Sequence, residues 1–402
     1  MNAGWIDPEL RKALRDQELP AAVVLLDAFD RNVERFAALA RASGKPVRIA
    51  SKSVRVPELL RRAFDRAGGS FRGLLCFSAA EAALLVDRGF DDIVIAYPPA
   101  HLDDWRTVGA LAAAGKKISA MVDSVEHVAM AAIAAGQRDR VTQIPIAIDV
   151  DMSFRWMGLH LGAQRSPIRD AISLRQLVDA IAAEPRVRCV GLMGYEAQIA
   201  GVGDSNPFHP LRNWAVRCLK ALSAPDVRRR RAEARAIIEA KLGPLQFVNG
   251  GGTGSFRECL EEKTLTEVTV GSGLLQSRLF DYYRGNLAEP ALAFALRVTR
   301  RPAECIATCH GGGFIASGAS GADRLPVPFV PEGLRLLGDE GAGEVQTPVQ
   351  GRAARDLRLG DIVLFRPAKA GEIAERFDRY VLWEGGRLRS TPTYRGFGAT
   401  LQ

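Results

Sequence analysis

Between Val47 and Gly273 short runs of β-branched and apolar residues alternate with longer stretches rich in Ala, Leu and Arg. The runs are VRIAS (47–51), GLLCF (73–77), DIVIAY (92–97), KISAMV (117–122), IPIAIDV (144–150), VRCVGLMGY (187–195), LQFVNGG (245–251) and TEVTVGS (266–272). Each has the length and composition of a buried strand. Between them, PELLRRAFDRA, AAEAALLVDRG and LRQLVDAIAAEP place apolar residues at helical spacing and end on Gly or Pro. Eight βα units over roughly 230 residues predict a (β/α)8 barrel, a fold of typically ~250 residues. No G-x-G-x-x-G follows the first run, which weighs against a dinucleotide-binding sheet.

Two segments depart from that rhythm. AAVVLLDAFDRNVERFAALARASG, starting at Ala21, reads as a strand followed by a helix. From about Pro290 the pattern changes to short alternating strands with Gly and Pro turns, as in LAFALRVTRRP, LRLGDIVLFRP and RYVLWEGGRLR. The expected fold class is therefore α/β, a TIM-like barrel followed by a mostly β C-terminal domain. The expected division is an N-terminal extension over 1–20, the barrel over 21–285 and the β domain over 286–402.

Composition narrows the functional classes. The chain has 402 residues, of which 47% are hydrophobic and 25% charged, so it can bury a sizeable core. Six scattered cysteines, none in C-x-x-C, suggest neither a disulfide framework nor a zinc ribbon. The polar N-terminus has no signal-peptide core, and no apolar run approaches the ~20 residues of a membrane span, so a cytoplasmic protein without a membrane partner is expected. The formal charge is +8, and its densest cluster is Arg228 to Arg231. That run sits in a helical pattern with no interleaved aromatics, which reads as a solvated helix face and not a nucleic-acid site.

Barrels carry their chemistry at the C-terminal ends of the strands. The first run is followed directly by Lys52, one of only nine lysines beside 45 arginines. A lysine at a barrel mouth can form an imine with a carbonyl compound, which an arginine cannot. The seventh and eighth runs end in VNGGGTGS and VGSGL. In barrels the loops at these two ends frequently hold a phosphate, whose oxygens are met by backbone N–H groups and hydroxyls. An amine with a phosphate cradle opposite suggests pyridoxal phosphate.

The stretch PAAVVLLDAFDRNVERFAALA…VRIASKS resembles the N-terminus of fold-type III pyridoxal-phosphate enzymes, in particular the D-threonine aldolase and D-serine dehydratase family. The likeness continues through CFSAAEAALLVDRG, IDVDMSFRWMG, GLMGYEAQIAG, FVNGGGTGS, TEVTVGSGL and LRLGDIVLFRPAKAGEI, nearest to the group called amino acid deaminase/aldolase. The resemblance implies an alanine racemase-like barrel in which Lys52 bears the cofactor and Gly252, Thr253, Gly271 and Ser272 hold its phosphate. It further implies that Tyr195 touches cofactor or substrate and that Arg155 approaches the ring oxygen. On the residues alone, Tyr195 also reads as a rim residue, and Arg155 as a partner for Asp149 or Asp151. A small amino acid substrate and a homodimer are expected on the same ground.

One departure stands out. Where this family carries a histidine and, two residues later, a cysteine or aspartate as metal ligands, the chain reads Pro367, Ala368, Lys369, Ala370, Gly371. Lys369 and Gly371 thus replace the usual ligands, and a divalent metal is left undecided, with His310 and Glu344 as other candidates. Lys369 is a candidate catalytic group at a substrate β-hydroxyl, or else an ion-pair partner of Glu372 or Glu375. The expected activity is that of a lyase on a D-configured or α-substituted β-hydroxy amino acid. Two alternatives remain: a racemase using Tyr380 or Tyr394 as a second acid/base, and a non-catalytic cofactor carrier.

Overall fold

The computed structural model describes residues 3–136 and 143–399. Strand β1 (Ala21–Leu25) is followed by a helix over Leu26–Ser43, and then by β2 (Val47–Ala50), β3 (Phe71–Cys76), β4 (Ile93–Ile95), β5 (Ile118–Val122) and β6 (Ile144–Asp149). A small hairpin, β7 (Phe154–Trp156) and β8 (Leu159–Leu161), precedes β9 (Val187–Met193), β10 (Phe247–Gly250) and β11 (Glu267–Val270). Strands β2 to β6 and β9 to β11 close into a parallel barrel in the order β10-β11-β2-β3-β4-β5-β6-β9. Each of the eight barrel strands falls on one of the eight apolar runs.

The barrel strands are buried on both faces, which is why they read as nearly continuous apolar runs and not as alternation. Inside the barrel Val94, Ala96, Met121, Ala147, Val190, Met193 and Phe247 pack together. At the N-terminal end of the strands Arg48 of β2 is buried, yet its Nε donates to Glu267 at 2.6 Å and it pairs with Asp92 at 2.9 Å. A buried cation is tolerable there because two carboxylates face it and its donors are used.

The C-terminal part forms β12 (Leu292–Ala303), β13 (Ile306–His310), β14 (Val327–Val330), β15 (Arg335–Leu336), β16 (Gln346–Gln350), β17 (Ile362–Arg366), β18 (Arg379–Glu384) and β19 (Arg387–Pro392). Here the structure corrects the expected division. β1 belongs not to the barrel but to this sheet, lying antiparallel to β12 (Ala21↔Ala295) and parallel to β18 (Ala22↔Tyr380). All five of its residues are buried, as a central strand requires. The first twenty residues are not a free extension either: the helix Pro8–Arg15 buries Leu10 and Leu14, and Trp5 Nε1 donates to Pro290 O at 2.9 Å.

The sheet is fastened to the barrel beside its mouth. Arg278 and Leu279 donate backbone N–H groups to Pro367 and Ala368 at 3.0 and 3.1 Å, and the buried Tyr394 hydroxyl donates to Glu81 at 2.9 Å. The arginine run also departs from the expected solvated face. In the helix Pro210–Leu242, Arg228 and Arg229 are exposed, whereas Arg230 is partly buried and Arg231 fully so. No helix among the described residues is long and apolar enough to cross a membrane.

Candidate functional site

The C-terminal ends of the barrel strands open into a cavity of about 480 Å³ whose lining includes Lys52, Tyr97, Asp149, Tyr195, Gly252 and Ser272. Lys52 sits on the short turn Ser51–Ser53 that follows β2, so the strand end aims it at the mouth. Its Nζ donates to Tyr97 Oη at 2.7 Å, and Tyr97 stands two residues beyond β4. The Arg165 guanidinium lies 5.9 Å from the ring centres of both Tyr97 and Tyr195. Burial pushes the Tyr97 phenol up, but the Lys52 and Arg165 cations outweigh it and hold the phenol below its ordinary value. Tyr195 is driven the other way, well above, by burial and by the carboxylate of Glu196. The two hydroxyls that face one cavity therefore differ in acidity, and Tyr97 is the readier proton donor.

Deeper in the mouth, Asp149 ends β6 and Asp123 follows β5. Burial, and then the neighbouring Asp123, push the Asp149 carboxyl up to about 7. Asp123 itself is met by His127 Nδ1 at 3.0 Å. Beside them Thr269 Oγ1 donates to Asn249 at 3.0 Å, and Asn249 Nδ2 to Glu267 at 2.9 Å, which ties the site to the buried Arg48 cluster.

On the opposite side the loops after β10 and β11 form a cradle. Gly273 N donates to Thr253 Oγ1 at 2.9 Å, and Ser272 Oγ to Ser53 Oγ at 3.2 Å, so three hydroxyls gather with the glycine backbone. A Cβ at Gly271 would stand 2.8 Å from Ser53 Oγ and 3.0 Å from the Ala50 side chain, so a side chain there would crowd the cradle. An amine in the same cavity as a hydroxyl- and amide-lined cradle is the donor set that pyridoxal phosphate requires, and these residues fit it.

A second cavity of about 670 Å³ shares Lys52, Tyr97, Arg165 and Tyr195 with the first and reaches out to the β domain. Lys369 lines it, donating to Ser317 Oγ at 2.7 Å and to Glu372 at 2.8 Å. Burial pushes the Glu372 carboxyl up, but the bonds from Lys369 and Ser317 outweigh it and hold Glu372 below the usual carboxylate range. Lys369 thus occupies the approach to Lys52 and is also the ion-pair partner of Glu372. At Gly371 the backbone is so close to the Lys52 turn that a Cβ would fall 1.9 Å from the Lys52 carbonyl oxygen.

The structure brings Lys52, Tyr195, Gly252, Thr253, Gly271 and Ser272 into one cavity, with Lys369 at its outer approach. It does not bring Arg155, which is exposed on the hairpin β7–β8 and lines a separate small pocket with Arg169 and Arg230. The cation over the tyrosines is Arg165, ten residues later, because the hairpin turns Arg155 outward before the chain returns to the mouth. Tyr380 and Tyr394 are buried within the chain and line neither cavity, and the same cavities exclude His310 and Glu344. Among the described residues no three His, Cys, Asp or Glu side chains gather in a metal-binding group. Sequence reasoning gave no cavity role to Tyr97, Asp123, Asp149 or Arg165. The first three stand at or just past strand ends, so the rule that found Lys52 could have found them; Arg165 carries no local signal.

Comparison with known proteins agrees with this architecture. In structure the chain is similar to D-threonine aldolase from Filomicrobium marinum, with a TM-score of 0.80 at 21% identity over 96% of this chain and 97% of that one. It is also similar to D-threo-3-hydroxyaspartate dehydratase from Delftia sp. HT23, with a TM-score of 0.76 at 19% identity over 95% and 98%. In sequence it is 25% identical over 245 residues to 3-hydroxy-D-aspartate aldolase of Paracoccus denitrificans (strain Pd 1222), a match covering 60% of this chain and 55% of that relative. The family model described as "Alanine racemase, N-terminal domain" matches residues 24–274, a span running from β1 through the entire barrel to the second cradle loop. With Lys52 and both cradle loops inside that span, the chain belongs to the alanine racemase N-terminal domain family.

Proposed function

We propose that this protein is a pyridoxal-phosphate-dependent lyase acting on β-hydroxy amino acids of D configuration or with a substituted α-carbon. The observation that carries the reading is the placement of Lys52 Nζ and the glycine and hydroxyl cradle in one cavity at the C-terminal end of the barrel. When bound, the cofactor would supply an acceptor for the electron pair released as a bond to the substrate α-carbon breaks. The names of the relatives, two aldolases and a dehydratase acting on such amino acids, support the same substrate class.

The chain's own residues divide the remaining work. Lys52 is the amine that holds the carbonyl compound, and Tyr97 Oη, 2.7 Å from Nζ, takes and returns its proton. Gly252, Thr253, Gly271 and Ser272 bind the phosphate, and Arg165 lies where it favours anionic oxygen between the two tyrosine rings. Lys369, held by an ionised Glu372, presents an ammonium at the outer approach, where it donates to the substrate β-oxygen. A donor there assists departure of hydroxide, whereas cleavage to an aldehyde needs a base. This contrast favours dehydration and deamination over retro-aldol cleavage. With Gly371 closed against Lys52, position 371 offers no side chain to a metal, so the β-hydroxyl is handled without the family's usual ligand pair. The assembly is a homodimer, supported by the exposed Trp156, Met157 and Leu159 of the hairpin and the exposed Leu211 and Trp214 near the mouth.

The test begins with the purified protein and added pyridoxal phosphate. Borohydride reduction followed by peptide mass analysis is expected to place the cofactor on Lys52, and Lys52→Ala to lose it. D-configured β-hydroxy amino acids are then expected to yield a keto acid and ammonia. Adduct at another lysine, or none, would refute the reading. An adduct without turnover would point to a carrier, and deuterated mirror-image product in deuterated water to a racemase.

A further inference from the structure

Arg231 has no contact with the cavity, yet its guanidinium is buried among the supports of the cradle. It comes from the inner face of the helix Pro210–Leu242, and its Nε and one terminal nitrogen donate to Gly194 O at 2.9 and 2.7 Å, just past β9. The other donors meet the carboxylates of Glu196 and Glu262. Glu196 in turn accepts from Gly251 N at 3.3 Å, from Ser255 Oγ and from Cys259 Sγ at 3.3 Å. Ser255 Oγ accepts from Gly252 N at 3.2 Å. A chain of bonds therefore runs from Arg231 through Glu196 to the backbone of the loop that begins the cradle.

This arrangement holds an electrostatic contradiction. Glu196 is the acceptor that shapes the loop from behind, but a buried carboxylate behind a phosphate site repels the phosphate through a medium that screens poorly. We propose that Arg231 is a positioning residue that resolves it: by neutralising Glu196 it lets that carboxylate order the Gly251–Ser255 loop without opposing an anion in front of it. The inference rests on the cofactor reading above and concerns the cofactor's phosphate end alone. It turns one member of a surface-looking arginine run into a determinant of preference for a phosphorylated over an unphosphorylated ligand.

The charge sign makes the test. Dissociation constants for pyridoxal phosphate and for pyridoxal, followed by cofactor absorbance on the full-length protein, give a preference ratio that a general loss of packing does not move. Arg231→Gln leaves Glu196 unbalanced, and its ratio is expected to fall about tenfold or more. Glu196→Gln removes the opposing charge, and its ratio is expected to rise at least threefold, roughly. In the double variant the ratio is expected to return toward that of the parent. Competition by inorganic phosphate is expected to follow the same order. If Arg231→Gln does not fold, the Glu196→Gln ratio decides alone: a rise supports the proposal, and an unchanged or lower ratio overturns it. Parallel losses for both ligands in the variants would also overturn it while leaving the cofactor reading intact. A parent protein that takes up neither ligand at Lys52 would defeat both.

Discussion

Asp149 shows how the site stores instability. Its carboxyl titrates near 7 in the folded chain because burial and Asp123 disfavour its charge, against an ordinary value of 3.8. Between those values the folded state keeps a proton that the unfolded state has released. The stabilisation linked to that proton is complete below about pH 4 and is lost as pH rises through 7. Asp149→Asn is therefore expected to raise the Tm of cofactor-free protein at pH 8, by an amount equivalent to roughly 2–4 kcal/mol, and to leave it almost unchanged at pH 4. An equal gain at both pH values would show that the carboxylate is not strained. Residue identity also explains which cavity positions can be read from the sequence. Lys52, Gly252 and Ser272 were legible because strand ends are local features, and chemistry gathers where they converge. Arg155 was misplaced because motif spacing does not reveal that a hairpin intervenes, and Arg165 was overlooked for the same reason.

At the level of elements, the turn Ser51–Ser53 and the short helix Ala370–Ile373 fit together so closely that one residue sets their separation. A methyl group at 371 would overlap the Lys52 carbonyl, which cannot retreat without moving Lys52 itself. Gly371→Ala is expected to lower the urea midpoint by the equivalent of about 2–4 kcal/mol and to slow cofactor attachment to Lys52. A variant with unchanged midpoint and attachment rate would mean that the helix shifts freely. Lys369 immediately precedes that helix, so the β domain supplies both the spacing and the ammonium at the outer approach. The helix Pro210–Leu242 has a comparable double role. Arg230 donates to the carbonyls of Asp151, Ser153 and Arg169 that follow β6, while Arg231 holds the loops after β9 and β10. What composition presented as a basic run is, on its inner face, a fastening for three strand-end loops.

For the whole molecule, the β domain is built from both ends of the chain. β1 lies between β12 and β18, so the sheet that flanks the mouth cannot be completed until the C-terminal strands are in place. Large apolar side chains are exposed on the hairpin β7–β8 and, separately, at the start of the helix Pro210–Leu242. Their exposure in one chain is the physical basis for the dimer proposed above. Sedimentation of the full-length protein is expected to show a dimer, and Trp156→Glu combined with Met157→Glu to shift it to monomer with the fold retained. A parent protein that sediments as a monomer at micromolar concentration would remove that part of the proposal.

The sequence by itself determined the eight barrel strands, the β character of the last hundred or so residues, the mouth lysine and the two cradle loops. Each is written in neighbouring residues, as apolar runs, helical spacing and glycines after strands, and needs no knowledge of what lies across the molecule. Only the tertiary structure decided that β1 joins the C-terminal sheet, that Arg165 and not Arg155 faces the tyrosines, that Asp123 and Asp149 share one floor, and that Arg231 is buried. Those facts depend on closure of the barrel and on loop paths, which bring together side chains far apart in the chain. There a charged residue's role is set by the partner it meets.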